Sequence, residues 1–278
     1  MVSTTVMTDD SHQIQTIPSR SSLYDSALLL LSSYMIAILL TTAVHELGHG
    51  MALASISINF RLVLNPFSQS MTMPLQTIPS TSLAFVASAG TIVELLFGTI
   101  VFVTLWRWRT PILVPLLMVA PVAYLSSAGY YLVGPAIPDG DTALMISMGV
   151  PAILVQVLGV LMLVFGVILM IQMFPLLGLS QADSFKRIFS VLFLGMVLHG
   201  FGMIAFALLF NPLDLYIGIA NVISMMVTIL VLVAVFVRGG HFLERITHSE
   251  MTLLERTKIL SIAGLALIFI VAELIFLN

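Results

Sequence analysis

Residues 26–58 read SALLLLSSYMIAILLTTAVHELGHGMALASISI, and this stretch decides the fold. A helix needs about 20 consecutive apolar residues to cross the hydrocarbon core of a bilayer. The apolar character runs on for longer than that, and its ionisable groups in the ordinary pH range are His45, Glu46 and His49. A span longer than the bilayer tilts, breaks or projects beyond the core. Similar runs recur at Ser80–Trp106, Pro111–Val133, Pro151–Phe174, Ile188–Phe210, Leu213–Val237 and Ile259–Leu277. With the first they make seven expected membrane helices, the fourth preceded by a helical turn starting near Asp139.

Composition leads to the same class. Of 278 residues, 59% are hydrophobic and 8% charged, and the mean hydropathy is +1.13. Soluble domains carry about 25% charged residues, so this chain cannot cover a water-facing surface. The expected class is an all-α polytopic protein of the lipid bilayer. Cysteine is absent, which excludes disulfides and thiolate zinc sites and leaves His, Asp and Glu as metal ligands. The net charge of −3 offers no basic face to nucleic acid. Residues 1–24 are polar and lack the basic start of a signal peptide, so a short tail is expected there. Residues 25–150 form the expected three-helix core, and residues 151–278 the carboxy-terminal membrane helices.

Two connecting segments stand out. In the first, Ile58, Phe60, Leu62 and Leu64 alternate with Asn59, Arg61 and Val63, which predicts a short strand or hairpin at the membrane surface. In the second, Arg238–Lys258 holds most of the hydrophilic mass and is spaced like an interfacial helix. Seven spans put nine of the ten Lys and Arg residues on the amino-terminal side, with Arg61 opposite. Read by the positive-inside rule, that side is cytoplasmic.

The chemistry lies in His45-Glu46-Leu47-Gly48-His49. Residues four apart share one face of a helix, so both imidazoles can address one ion. Glu46 falls beside that face, where it can accept a proton from attacking water. Zinc lowers the pKa of water to about 7, which creates a nucleophile without bulk base. Ionisable groups in a membrane segment are functional by default, because each lone charge there costs several kcal/mol. A catalytic zinc usually takes three protein ligands and keeps one open position. The candidates for the third ligand are Asp139, Asp141 and Glu94. The run Gly134-Pro135-Ala136-Ile137-Pro138-Asp139-Gly140-Asp141 breaks the third helix at the end that chain tracing brings to the level of HELGH. Non-helical backbone at membrane depth is tolerated where it lines a protein cavity.

At these residues the chain resembles the site-2 proteases, a family of intramembrane zinc metalloproteases. HELGH, the strand-like Ile58–Leu64, Ala89-Gly90 within SAGTIVE, and PAIPDGD follow one another in the family's order and spacing across residues 26–150. The resemblance implies that His45 and His49 bind one Zn2+ per chain, that Asp139 is the third ligand and that Glu46 is the base. It also implies a membrane-spanning or membrane-associated protein substrate, and a HELGH helix whose carboxy-terminal end faces the cytosol, opposite to the charge rule. The departures are Tyr130 and Tyr131 where the family often has Asn, Glu94 where a small or amide residue is commoner, and Asp141 where Gly usually follows DG. No oxyanion stabiliser is assigned.

The expected activity is hydrolysis of peptide bonds in an unwound membrane-embedded or membrane-adjacent substrate. Arg61, Leu62, Val63 and Leu64 are the candidate edge for binding that substrate as an added strand. One alternative is a membrane zinc protease of another lineage with Glu94 as third ligand. The other is a non-catalytic metal-binding or transport protein, which should show repeated halves or paired broken helices. Elsewhere, Glu94 reads either as a site residue or as a hydrogen-bonded packing carboxyl, and His199 as an interhelical hydrogen-bonding group. Glu273 is expected to snorkel, Asp214 to start a helix and Trp106 and Trp108 to anchor at the interface.

Overall fold

A computed structural model describes residues 22–64, 70–136, 140–180, 183–210, 215–238 and 256–276. Residues 1–21 of the expected tail, the charged stretch around Arg245, Asp214, the Glu273 side chain and Asp139 lie outside the described residues, while Leu23 and Tyr24, expected in the tail, already belong to the first helix. Helix α1 covers Leu23–Ser55. It starts where the Ser22 side chain accepts the Asp25 backbone N–H at 3.0 Å, satisfying one of the donors that every helix start leaves over. Inside the helix, the Ser32 and Thr41 hydroxyls donate to the carbonyls of Leu28 and Ile38, which hides both polar groups in an apolar span.

The end of α1 sends the chain into a hairpin. The Ile58 N–H bonds the Leu53 carbonyl and the Ser57 N–H bonds that of Ala54, the paired pattern of a Schellman turn. Its left-handed position is taken by Ser57, at φ 61°. The hairpin pairs β1, Phe60–Val63, with β2, Met71–Pro74. The strands are antiparallel, with Phe60 opposite Pro74 and Leu62 opposite Thr72. Phe60 reaches back to α1, where a Cβ on Gly50 would run into its ring. Ala52, Leu53, Ile58, Val86 and Ala89 form a small apolar cluster there.

Helix α2 spans Ser80–Leu105. The third apolar run is interrupted: α3, Val114–Leu117, follows a 3-10 turn at Pro111–Leu113, and α4, Val119–Val133, resumes after Met118. Pro121 has no N–H to give to the Leu117 carbonyl, so the helix ladder lapses at that point. A short α5, Asp141–Ser147, leads to α6, Ala152–Met173. Then α7, Phe185–Leu192, passes through a π-helical turn at Phe193–Val197 into α8, Leu198–Phe210. Helices α9, Leu215–Arg238, and α10, Arg256–Phe276, complete the chain. Arg256 Nε stands 3.5 Å from Asp25 Oδ1, so α10 starts beside the start of α1.

Among the described residues, five helical segments are long and apolar enough to cross a membrane: Leu23–Ser55, Ser80–Trp108, Val114–Ala136, Ala152–Met173 and Phe185–Ala205. Their surfaces suit lipid. Helix α6 exposes Ile153, Leu154, Val157, Leu161, Val164 and Phe165, a contiguous apolar face of the kind soluble monomers rarely leave open. Lipid gives such helices no reason to bury apolar area, so they associate through close packing of small residues. A Cβ on Gly166 would meet Leu125, one on Gly159 would meet Leu132, and one on Gly195 would meet Leu30. These contacts seat α6 on α4 and the π-helical turn on α1.

Candidate metal centre

The α1–α2 crossing creates the centre. A Cβ on Gly48 would lie 2.7 Å from the Ala89 carbonyl oxygen and 2.9 Å from Gly90 Cα, so the two backbones touch where neither residue has a side chain to separate them. Gly90 keeps a second space open. A Cβ on it would come within 2.5 Å of His49 Nε2 and 2.7 Å of His45 Nε2.

Both rings are pinned from behind. The His49 Nδ1–H donates to the Val86 carbonyl at 2.7 Å, and a carbonyl can only accept, so the tautomer is set. The His45 Nδ1–H donates to Glu94 Oε2 at 2.9 Å. Glu94 is 4% exposed and also accepts from Ser126 at 3.2 Å and Ser127 at 3.5 Å, both on α4. With each Nδ1 engaged in this way, each Nε2 of a neutral ring carries a lone pair. The two Nε2 atoms face one another at 3.1 Å.

Asp141 closes the triangle. Its Oδ2 lies 3.1 Å from His45 Nε2 and 3.1 Å from His49 Nε2. Gly140, at φ 92° and ψ 179°, adopts a conformation essentially confined to glycine, and this turn delivers Asp141 as the first residue of α5. Thr142 then packs on Gly134, leaving no room for a Cβ there. Three acceptor atoms at mutual distances of 3.1 Å need positive charge between them, from a proton or from a metal ion. Ligand atoms on a tetrahedral zinc at 2.0–2.1 Å stand about 3.3 Å apart, so the triangle has the size that zinc fills. His45, His49 and Asp141 are a group able to hold a metal ion.

The other candidate residues fall around this triangle. Glu94 bonds the edge of His45 opposite Asp141, so it supports a ring and does not share the space between the Nε2 atoms. Asp139 is outside the described residues; among those described, the aspartate that meets the imidazoles is Asp141. Glu46 is buried, and its Oε2 accepts from the Thr72 hydroxyl at 2.8 Å. Tyr130 is exposed, while Tyr131 is buried with its hydroxyl 4.0 Å from Met145 Sδ. His199 is far along the fold, edge-on to Tyr34 with ring centroids 6.0 Å apart. Sequence reasoning missed Thr72, Ser126, Ser127 and the Val86 carbonyl. The first three are polar side chains in apolar surroundings, a signal that was open to use. A backbone carbonyl leaves none.

Compared with protein-family models, with curated proteins and with solved structures, the chain matches none.

Proposed function

We propose that this chain is an intramembrane zinc metalloprotease akin to the site-2 proteases, hydrolysing peptide bonds in membrane-embedded or membrane-adjacent proteins. The observation that carries the proposal is the triangle of His45 Nε2, His49 Nε2 and Asp141 Oδ2, every edge 3.1 Å, beside a buried glutamate at the end of an apolar helix. His45, His49 and Asp141 would hold one zinc ion. Zinc in that position supplies Lewis acidity, which makes water a nucleophile near neutral pH and polarises a peptide carbonyl. Glu46 takes the proton of the attacking water and returns it to the leaving amine. Glu94 and the Val86 carbonyl keep both Nε2 lone pairs aimed inward, the orienting role that outer-shell partners play in metal sites.

In this reading α9 and α10 are two further crossings, making seven. A membrane helix hides its carbonyls in its own hydrogen bonds, so the substrate must unwind before it reacts. The hairpin offers an unwound segment an edge to pair with, near Arg61, Leu62, Val63 and Leu64. The test uses the full chain purified in detergent, as wild type and as Glu46→Gln, with metal analysis and cleavage of single-span membrane peptides. About one zinc per chain in both proteins, with proteolysis lost in the variant, is the expected result. A wild type that binds no zinc, or that binds it and cleaves nothing while moving ions across vesicles, sinks the proposal.

A further inference from the structure

Glu46 is 7% exposed, and a carboxylate that deep needs a donor to hold it in one orientation. Its donor comes from outside α1. The Thr72 hydroxyl, on β2, stands 2.8 Å from Glu46 Oε2 and 2.7 Å from the Glu46 carbonyl oxygen. Along β2 the neighbours Met71 and Met73 are exposed while Thr72 is half-buried, as the alternation of a strand requires. Pairing with Leu62 fixes Thr72 lengthwise. The hairpin therefore presents one hydroxyl to both the side chain and the backbone of the same glutamate.

Resting on the protease reading, we infer that Thr72 is a positioning residue that sets the working orientation of the Glu46 base from the substrate-binding hairpin. The hydroxyl travels with β2, so a substrate strand that pairs with the hairpin steadies the base at the moment it is needed. Alignment of the base is realised in the transition state and adds little to ground-state binding, so its loss falls on kcat and spares KM.

The variants are Thr72→Val, which keeps the shape and strand preference but removes the donor, and Thr72→Ser, which restores it. A neutral to charge-assisted hydrogen bond corresponds to about a tenfold change in rate. Thr72→Val should therefore lower kcat about tenfold with zinc content and KM unchanged, and Thr72→Ser should recover most of the loss. An unchanged kcat in Thr72→Val, a Thr72→Ser as slow as Thr72→Val, or a rise confined to KM overturns the inference while leaving the wild-type protease intact. A cycle of melting temperatures for Thr72→Val, Glu46→Ala, which removes the side-chain acceptor, and the double variant reads the contact without turnover. Non-additive shifts support it, and additive shifts overturn it even if the wild type cleaves nothing.

Discussion

Adding a methyl group at Gly90 perturbs the candidate metal centre without removing any donor atom. The Cβ of Gly90→Ala would stand 2.5 Å from His49 Nε2 and 2.7 Å from His45 Nε2, whereas ordinary contact begins at 3.4 Å. The rings must therefore retreat by 0.9 and 0.7 Å, the differences between those distances. Their far edges are already bonded, His49 to the Val86 carbonyl at 2.7 Å and His45 to Glu94 at 2.9 Å. Nor can α2 back away cheaply, since its Ala89 and Gly90 pack directly on Gly48 of α1. Surrendering one neutral and one charge-assisted hydrogen bond costs about 3 kcal/mol, which is about a hundredfold in zinc affinity. The assay is competition for zinc with a chromophoric chelator in detergent, with helix content followed by circular dichroism. Gly264→Ala is the control, because nothing lies within 4 Å of a Cβ on Gly264. If folded Gly90→Ala takes up zinc as tightly as wild type, the ion does not sit between these two rings.

Two further predictions test the ligand set and the turn behind it. Asp141→Ala should lose zinc outright, Glu94→Ala should weaken it by about 10–100-fold through the freed His45 ring, and Asp139→Ala should keep it; metal analysis of the three ranks the carboxylates. Ser57→Gly should raise stability by about 0.5–1 kcal/mol, since a non-glycine residue at φ 61° carries the left-handed strain. Its melting temperature in detergent checks this, and a fall would mean that Ser57 contributes a contact worth more than the strain.

The helices were legible because each apolar run is long and bounded by polar or proline-rich stretches, and Ile58–Leu64 announced its strand by alternation. What runs of apolar residues cannot encode is the lapse at Met118, which depends on the one hydrogen bond Pro121 cannot make. The partner strand was equally hidden, since Met71–Pro74 carries no alternation strong enough to read. At the site, the i, i+4 spacing was sufficient to put His45 and His49 on one face. Choosing among carboxylates was not possible from spacing, because Asp139 and Asp141 flank one glycine. What brings Asp141 to the rings is the Gly140 turn, which spacing does not encode. Glu94 was visible as an oddity in an apolar helix, yet its task depends on which edge of His45 it meets. That follows from the Gly48–Gly90 approach, a contact between residues distant in sequence and defined by what they lack.

The bond between His45 and Glu94 also bears on how the protein is made. Either group alone in a helix entering lipid carries a penalty of several kcal/mol. They belong to consecutive apolar helices joined by a short hairpin, so the two segments can pass into the bilayer as a couple with their polar groups already satisfied by each other. A chain halted after its first helix would hold the His45 Nδ1–H without the carboxylate that accepts it in the finished fold.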